Sequence, residues 1–481
     1  MLELHYINAD EYNQAIIETH NGLKFNKGNN VEVVYSYHTD AALNQVISDF
    51  AKKNNMSLAL ARSYIYSNDL TIYTTQNTAI QHIMEEEVKD SKYILPSRNR
   101  SGEIAQTAMV VIDHKTGFVV GCVGGIGEKT ESLGLNRATQ STRQTGSSMK
   151  PIAVVAPGLQ EKVITPASIY SDTKSTFKLK NGETYTPKDY NYYRGNITVR
   201  QALETSQNIP FIRMMQDLTT EKSREYLMKM GITSLTDNDN DLALAIGGLD
   251  KGISPLEMAG AYATIANDGV YIEPTFYTKV VDKEGNVVLE VEQTKNEVLD
   301  KATAYVLKHL LIQPVKGRSG TARFCAIDGI DVCAKTGTTD SDYDRWLCGF
   351  TPYYTAATWY GYDYNETVRY SGTNPAGLIW AGVMSKIHSE LEPQMFEVPE
   401  GVVTKKVCKT TGKLATSRCW STYEEVFSED NLPEECKGHY RRNYSTSSNS
   451  STATQSTPST SGITVTDERT GQSTVVQVPN N

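Results

Sequence analysis

Apolar runs bounded by turn residues predict a β-sheet that begins near residue 105. The runs at 108–113 and 118–121 flank a His-Lys-Thr-Gly turn, a pattern typical of an antiparallel hairpin. Strand-like runs return at Val332 to Lys335, at Trp346 to Phe350 and at Ala357 to Tyr360. The sheet is therefore expected to be built from segments that are far apart in the sequence.

Helical spacing dominates the region between the two groups of strands. Examples are Val199 to Thr205 and Pro255 to Ala266, the second of which is closed by an Asn-Asp-Gly stop at 267–269. A further helix is expected through Trp380 to His388, and Pro157 is expected to kink or end early the helix that precedes it. Strands that bracket helices in this way predict one α+β domain with a largely helical lobe.

Changes in pattern divide the 481 residues into four parts. Residues 1–100 are interpreted as a linker or pedestal, with helical spacing around 41–51. Residues 101–395 are interpreted as the main domain, and residues 396–440 as a cysteine-containing segment. Residues 441–481 begin with a long run rich in Ser and Thr that offers little apolar surface, so they are expected to form a disordered tail.

Composition and charge argue against several classes of protein. A formal charge of -9 and the lack of a dense Lys/Arg run make nucleic acid an unexpected partner. No run approaches the roughly 18 consecutive apolar residues that span a bilayer, and the first residues lack the basic and apolar regions of a signal peptide. Hydrophobic residues make up 39% and charged residues 21%, a balance typical of a globular protein.

Three short motifs carry the candidate chemistry. Ser147 and Lys150 form a Ser-x-x-Lys motif, Ser206 and Asn208 form a Ser-x-Asn motif, and Lys335 begins a Lys-Thr-Gly-Thr run. Each pattern is weak by itself, because the same patterns also begin at positions 97, 115, 171, 175 and 447. Only the set at 147, 206 and 335 runs in the order known from serine-acylating enzymes, with a helix start first and a strand last.

The spacing explains how a serine could become a nucleophile. On a helix, Ser147 and Lys150 lie nearly one turn apart on one face, so that the amine can reach the hydroxyl. A lysine takes a proton from serine only if burial or nearby positive charge favours its neutral form, and Lys335 would supply that charge. Ser206 would relay a proton to a leaving amine. The backbone NH groups of Ser147 and Thr338 would form an oxyanion hole.

The remaining motif residues are expected to bind a peptide substrate. Asn208 would hold the substrate backbone, and the hydroxyls of Thr336 and Thr338 would hold a terminal carboxylate. Gly337 would let the substrate backbone approach closely. Alternation puts Lys335 and the glycine on one side of the strand and the threonines on the other, so the strand must bend or lie at an edge to present several of them to one ligand.

These motifs and the segments around them resemble the class A penicillin-binding proteins over roughly residues 1–440. Outside the three motifs, the likeness is carried by Asn136 to Ala138, Gln144, Gly195 to Leu203, Ile253 to Glu257, Ala261 to Ala263, Asp344 to Trp346 and Gly361 to Asp363. Full-length members of that family add a membrane anchor and an N-terminal glycosyltransferase domain. The Glu-Asp-containing motif of that domain is not found here, whereas residues 1–15 resemble its last helix, so the chain is expected to be truncated.

The resemblance implies a penicillin-binding, β-lactamase-like transpeptidase fold, with an antiparallel sheet flanked by helices, an all-helical lobe and the active serine at their junction. It implies a D,D-transpeptidase that cross-links peptidoglycan stem peptides ending in D-Ala-D-Ala, is acylated by β-lactam antibiotics and needs no cofactor. The expected place is the extracytoplasmic face of the bacterial membrane, with a separate glycosyltransferase or other wall-synthesis proteins as partners. Two alternatives stay open: a D,D-carboxypeptidase or β-lactamase in which water takes the acyl group, and a β-lactam sensor that does not turn over.

The seven cysteines give no metal signature of a common kind, because they form no Cys-x-x-Cys pair. Cys408, Cys419, Cys436 and His439 could supply four zinc ligands, but their spacing does not match the common structural sites. No metal is therefore predicted. A disulfide within the three cysteines is favoured instead if the protein is exported.

Overall fold

The structure, a computed structural model of the chain, describes residues 8–20, 33–180, 182–189, 192–439, 462–466 and 473–477. Residues up to Gly438 form one unit, and those from His439 onwards form a second, which is described by itself. No helix within the described residues is long and apolar enough to cross a membrane.

The α-helices of the described residues are, in chain order, α1 (Ala9–His20), α2 (Tyr37–Lys53), α3 (Leu58–Ser67), α4 (Thr78–Val88), α5 (Arg137–Gln140), α6 (Ala156–Gln160), α7 (Val199–Thr205), α8 (Ile209–Leu218), α9 (Thr220–Lys229), α10 (Pro255–Ala266), α11 (Lys301–Leu311), α12 (Gln313–Lys316) and α13 (Pro375–His388). Short 3-10 helices lie at Ser91–Tyr93, Gly146–Met149, Leu242–Ile246, Arg323–Cys325 and Asp340–Asp342, and a π-helix spans Pro151–Val155.

The strands of the described residues are β1 (Thr71–Thr74), β2 (Gln106–Asp113), β3 (Phe118–Val123), β4 (Ile169–Asp172), β5 (Phe177–Lys178), β6 (Thr184–Tyr185), β7 (Gly195–Thr198), β8 (Val270–Ile272), β9 (Tyr277–Val281), β10 (Val287–Glu290), β11 (Lys295–Glu297), β12 (Cys333–Thr338), β13 (Asp344–Phe350), β14 (Thr355–Gly361), β15 (Val402–Cys408), β16 (Thr422–Ser428), β17 (Gly462–Thr466) and β18 (Ser473–Gln477).

The two helices predicted in the lobe are confirmed with the predicted bounds, and their sequences explain where they start. Thr198 caps α7, and its hydroxyl and the side chain of Gln201 form a reciprocal capping box. Ser254 and Glu257 form the same arrangement at the start of α10, whose first residue is a proline. Local sequence signals therefore fix both helix starts before any tertiary packing is considered.

The central sheet has five antiparallel strands in the order β12, β13, β14, β2, β3. The predicted hairpin at β2 and β3 is confirmed, and so are the three later strands. The two outer strands of the sheet are β3 at one edge and β12 at the other, and β12 carries the Lys-Thr-Gly-Thr run. Alternation of side chains requires this strand to bend or to lie at an edge if several of its residues are to face one ligand. β12 lies at an edge.

Helices cover both faces of this sheet, and the pleat of β2 shows how. Residues 108, 110 and 112 belong to a core that includes α10 and the helical lobe, whereas residues 109 and 111 belong to a core with α4 and α13. Because both faces are covered, the residues of the central strands β2 and β14 are buried along nearly their whole length and do not alternate between buried and exposed. The helical lobe, from the 3-10 helix Gly146–Met149 to α9, is continuous with the α10 core.

The segment interpreted as a linker or pedestal has a small core of its own. Helices α2 and α3 pack against a three-stranded sheet in which β1 pairs with β9, and β9 with β10. Val46, Phe50 and Ile65 from the helices pack here with Val280 from β9. This core joins residues assigned to the pedestal with residues from the predicted main domain, so the boundary at residue 100 stays a prediction.

The C-terminal cysteine-containing segment is built on a hairpin of β15 and β16. Its core is small, with Val407 and Phe427 buried against Ala167. Buried Glu425 of β16 accepts a hydrogen bond at 2.7 Å from Arg200 of α7, which ties the hairpin to the lobe.

Beyond Gly438 the structure describes an antiparallel hairpin of β17 and β18. The prediction of a disordered tail at 441–481 otherwise falls outside the described residues. The two short strands β17 and β18 thus lie in a part of the chain for which the sequence predicts no ordered element.

Candidate active site

The segment that carries Ser147 is a 3-10 helix followed by a π-helix, and not the regular helix expected from the sequence. A 3-10 helix has three residues per turn, so residues 147 and 150 are eclipsed on one face. The π-helix then leads into α6, and such π-turns are frequent at functional sites. The irregularity expected at Pro157 lies before the proline, and α6 continues past it to Gln160.

Hydroxyl groups from the lobe donate to carbonyl groups of this irregular segment. Pro157 has no N–H, so the Ala153 carbonyl four residues earlier lacks that helical partner, and the buried Ser223 hydroxyl donates to it at 2.6 Å. The buried Tyr262 hydroxyl donates to the Ser148 carbonyl at 2.7 Å. These bonds hold the segment against α9 and α10.

Glycines let this segment pack directly on β12. Gly146 has a φ of +53°, and a Cβ there would lie 2.4 Å from the Thr338 carbonyl oxygen. A Cβ on Gly247 would lie 2.3 Å from the Gly146 carbonyl oxygen, and one on Gly337 would lie 2.4 Å from that of Thr145. The side of Gly337 that was expected to receive a substrate backbone is thus filled by the nucleophile segment, and its missing side chain serves packing.

Lys150 is fully buried, and the Ser-x-Asn motif holds its amine. Nζ donates to the Ser206 carbonyl at 2.8 Å and to Asn208 Oδ1 at 2.7 Å, and lies 3.5 Å from Ser206 Oγ. Burial lowers the pKa of the Lys150 amine well below its ordinary value, and the charge of Lys335 lowers it further, while two nearby carboxyls act in the opposite direction. The site thereby favours a neutral amine.

Lys335 is also fully buried, and it contacts the same serine from the other side. Its Nζ donates to Ser206 Oγ at 2.7 Å, a contact between residues 129 positions apart, and to the Thr336 carbonyl at 3.0 Å. Burial lowers the pKa of Lys335 to about 7. The Ser206 hydroxyl therefore lies between two amines of perturbed basicity.

The backbone of the Ser-x-Asn motif is shaped for this cluster. Ser206 ends α7 in the left-handed region at φ 59°, ψ 32°, a conformation that costs a non-glycine residue free energy and is often found at functional sites. Asn208 precedes α8 but makes no side-chain cap bond to it; its Nδ2 donates instead to the Lys188 carbonyl at 2.7 Å. A helix-capping role therefore does not explain the Asn208 side chain.

Ser147 lines a cleft of about 570 Å³ together with Ser206, Asn208, Thr336 and Thr338. The three motifs therefore meet at one cleft. The Ser147 hydroxyl makes no hydrogen bond within the described part of the chain, so the expected direct contact with the Lys150 amine is not formed. Catalytic hydrogen bonds are often long or poorly aligned before substrate binds.

Two carboxyls behind the Ser-x-Asn motif were not found by sequence reasoning. Asp172, fully buried, accepts from Gln207 Nε2 at 2.7 Å, and Asp189 accepts from the backbone N–H of Asn208. Burial and hydrogen bonding to Asp172 raise the pKa of Asp189 to about 6. Asp172 Oδ1 and Asp189 Oδ2 are buried, and neither accepts a hydrogen bond from another residue in the described part of the chain. No spacing signal links these two residues to the motifs.

A second group of side chains anchors the backbone just before Ser147. Trp346 Nε1 donates to the Gln144 carbonyl at 2.7 Å, and Asp344 Oδ1 accepts from Arg143 at 2.7 Å and from Trp359 at 2.9 Å. Asp344 and Trp346 are buried and hold residues 143–144 in place.

The two threonines of β12 differ in their surroundings. Thr336 Oγ1 donates to Thr321 Oγ1 at 3.0 Å, while Thr338 Oγ1 lies 3.5 Å from a guanidinium nitrogen of Arg345. Arg345 also lines the cleft beside Thr338, where its guanidinium is paired with Asp342 at 3.2 Å. This end of the cleft therefore carries both a cation and carboxylates, because Asp340 and Asp342 line it as well.

Two family models match the chain. Residues 107–385 match the penicillin binding protein transpeptidase domain, and residues 398–442 match the penicillin-binding protein 1A, C-terminal domain. Penicillin-binding protein 1A of Clostridium tetani is 34% identical over 464 residues, which cover 91% of this chain and 59% of that protein. Penicillin-binding protein 1F of Bacillus subtilis is 33% identical over 338 residues, covering 69% and 44%. The chain spans less than two thirds of the length of these relatives.

Solved structures of similar proteins share the fold. Penicillin-Binding Protein 1A from Haemophilus influenzae superposes with a TM-score of 0.67 at 20% identity, covering 90% of this chain and 81% of that one. The PonA1 protein from Mycobacterium tuberculosis in complex with penicillin V gives 0.61 at 23% identity, covering 75% and 95%. The α+β fold with an antiparallel sheet flanked by helices is thereby confirmed.

Proposed function

The chain belongs to the class A penicillin-binding proteins, and on that premise we propose that it is a serine-type peptidoglycan D,D-transpeptidase that works through an ester on Ser147. One observation carries the proposal: the Ser206 hydroxyl lies 2.7 Å from the Lys335 amine and 3.5 Å from the Lys150 amine, so that residues of three separate motifs form one proton-transfer cluster. An ordinary structural role does not require two buried lysines to meet at one hydroxyl.

In the acylation step, Ser147 Oγ attacks the carbonyl carbon of the penultimate D-alanine and gives its proton to the Lys150 amine. Lys150 can accept it because burial and the neighbouring cation favour its neutral form. The negative charge that develops on the carbonyl oxygen is stabilised by the backbone NH groups of Ser147 and Thr338. The first NH groups of a short helix have no partner within that helix, which leaves that of Ser147 available.

Collapse of the tetrahedral intermediate breaks the peptide C–N bond, and the departing D-alanine nitrogen needs a proton. Ser206 supplies it from its hydroxyl and is reprotonated by Lys335 or by the protonated Lys150. Both amines lie beside that hydroxyl, so the proton taken from Ser147 is returned to the leaving group with no net change.

Substrate binding is assigned to Asn208 and β12. The Asn208 side chain is positioned at the cleft by its bond to Lys150 and would contact the peptide backbone. Since β12 is an edge strand, an extended peptide can pair with it. Thr336 and Thr338, with Arg345 nearby, would hold the terminal carboxylate of the donor peptide.

An acceptor amine then attacks the ester carbonyl and gives a proton to Lys150; the ester C–O bond breaks, Lys150 returns the proton to Ser147 Oγ, and the new amide bond is the cross-link. Water in place of the amine would give a D,D-carboxypeptidase or a β-lactamase from the same intermediate. Acylation without either step would give a sensor. We place the reaction outside the cytoplasmic membrane, on stem peptides of a glycan that a glycosyltransferase supplies.

Labelling with a fluorescent penicillin tests the nucleophile. We expect covalent label on the wild type and none on Ser147→Ala, while Ser171→Ala, a change in a second Ser-x-x-Lys match, should label normally. Label on the Ser147→Ala chain would overturn the assignment.

Product analysis separates the three reactions. With a D-Ala-D-Ala pentapeptide donor and an added D-amino acid acceptor, a transpeptidase forms the acceptor-linked product, and a carboxypeptidase forms only the shortened peptide. A sensor forms a stable ester without turnover. Exclusive hydrolysis or a lack of turnover would reject transpeptidation while leaving the Ser147 acyl-enzyme intact.

A further inference from the structure

We propose that the C-terminal hairpin segment holds a structural zinc ion that is bound by Cys408, Cys419 and Cys436. The three thiol sulfurs come from separate parts of the sequence and lie within 4.8 Å of one another. The site is separate from the Ser147 cleft and does not depend on the transpeptidase assignment.

The distances suit a tetrahedral ion. Zinc–sulfur bonds of about 2.3 Å in tetrahedral geometry place two sulfurs roughly 3.8 Å apart. Thiols that already lie within 4.8 Å of one another need only small side-chain rotations to reach that separation. Three cysteines supply three of the four ligands of a tetrahedral structural zinc site.

Backbone hydrogen bonds bring the thiols together. Cys408 ends β15, and its N–H donates to the Lys413 carbonyl at 2.8 Å across a tight turn at Gly412, where φ is +68°. The Cys436 N–H donates to the Leu414 carbonyl at 2.8 Å, immediately after that turn. Two of the ligands are therefore fixed on one short backbone element.

The third thiol is fixed by its own turn. The Cys419 N–H donates to the Thr416 carbonyl at 3.0 Å. Gly438, with φ of +85°, packs against Arg418, and a Cβ on this glycine would lie 2.7 Å from Arg418 Cβ. The chain after Cys436 thus passes close to the turn that carries Cys419.

Neighbouring groups fit thiolate ligands rather than a plain apolar cluster. The Thr411 hydroxyl donates to Cys436 Sγ at 3.4 Å, and Thr416 Oγ1 lies 3.8 Å from Cys419 Sγ, as outer-shell partners of metal ligands often do. Three thiolates and Zn²⁺ carry a net charge of −1. Basic residues next to the ligands in the sequence would balance it: Lys409, Arg418 and Lys437.

The small core of the segment is a second reason to expect a cross-link that stabilises it. Its hydrophobic core contains Val407 and Phe427 with Ala167 from the lobe, which is small for a segment of about 40 residues. A disulfide would use only two of the three clustered thiols, whereas one ion uses all of them.

The test is metal analysis of the full chain, prepared without a histidine tag and under reducing conditions. We expect about one zinc per chain by elemental mass spectrometry, and less than about a tenth of that in Cys419→Ala. Cys325→Ala, which removes a buried thiol outside the cluster, should keep its zinc. Acylation by labelled penicillin shows that each variant is folded.

The wild-type chain gives a further test that needs no variant. A chelator should remove the zinc and lower the melting temperature, and added zinc should restore both. Failure to bind zinc after reduction and reconstitution, or an intact-mass spectrum showing a disulfide among the three cysteines in the native protein, would overturn the proposal. Binding of another metal in place of zinc would overturn it as well.

Discussion

Replacing Asp189 by asparagine should stabilise the protein at high pH and leave it nearly unchanged at low pH. The substitution keeps an oxygen acceptor for the Asn208 N–H and removes a charge that lies beside Asp172. In the folded chain the pKa of Asp189 is raised to about 6, whereas an unfolded aspartate titrates near about 3.9. The native state therefore holds a proton that the unfolded state has already lost between these values.

The sign and size follow from proton linkage. Because the folded pKa of Asp189 is the higher one, the contribution of this carboxyl to the free energy of unfolding is largest below about pH 4 and is lost as the pH rises through about 6. Roughly two pKa units correspond to about 3 kcal/mol, and solvent screening of this half-buried carboxyl reduces the expected effect to about 1–2 kcal/mol. The amide of the asparagine variant does not titrate, so the variant does not lose this stability as the pH rises.

The assay is urea unfolding of wild type and Asp189→Asn at about pH 4 and about pH 8, with Asp237→Asn, a change at an exposed carboxyl, as the control. The free energy of unfolding of Asp189→Asn relative to wild type should rise by about 1–2 kcal/mol from the lower to the higher pH, and the control should show no such trend. A stability difference that is independent of pH, or one that shrinks as the pH rises, would refute the raised pKa of Asp189 in the folded chain.

Three further changes test the site. Lys335→Met should slow acylation roughly 100-fold at neutral pH and move its acidic limb to higher pH, because the charge that lowers the Lys150 pKa is lost; an unmoved limb in stopped-flow pH profiles would contradict this. Gly337→Ala should cut the acylation rate roughly 100-fold, because its Cβ would displace the nucleophile segment, and a normal rate constant for penicillin labelling would count against that packing role. Ser223→Ala should lower the free energy of unfolding by about 1–3 kcal/mol, because the buried Ala153 carbonyl loses its donor; a loss within about 0.5 kcal/mol in urea titrations would show that this bond matters little.

The sequence was sufficient for individual helices and strands because their signals are local. Capping boxes start α7 and α10, and the turn between β2 and β3 is marked by its residues. The order of the strands in the sheet was not predicted, since pairing such as that of β14 with β2 joins segments about 250 residues apart that no local pattern relates.

Sequence reasoning located the active-site motifs but not the conformation or the surroundings of their residues. The eclipsed placement of residues 147 and 150 depends on a 3-10 turn that glycine-mediated packing imposes, and propensity alone does not reveal it. Asp172 and Asp189 reach Gln207 and Asn208 through tertiary folding of the lobe. The spacing of the cysteines along the chain also disfavoured a metal site at Cys408. Spacing in sequence does not give the distances between sulfur atoms, which lie within 4.8 Å of one another in the structure.

The central claim is that Ser147 is activated by the buried Lys150 amine, whose pKa lies well below its ordinary value. The most direct test is the pH dependence of the second-order rate constant for acylation by a β-lactam. If Lys150 is the base, the rate should rise with an apparent pKa well below the value of about 10.4 of an ordinary lysine and be level through the mildly alkaline range. A rate that keeps rising towards pH 10, as an unperturbed amine would give, would contradict the account.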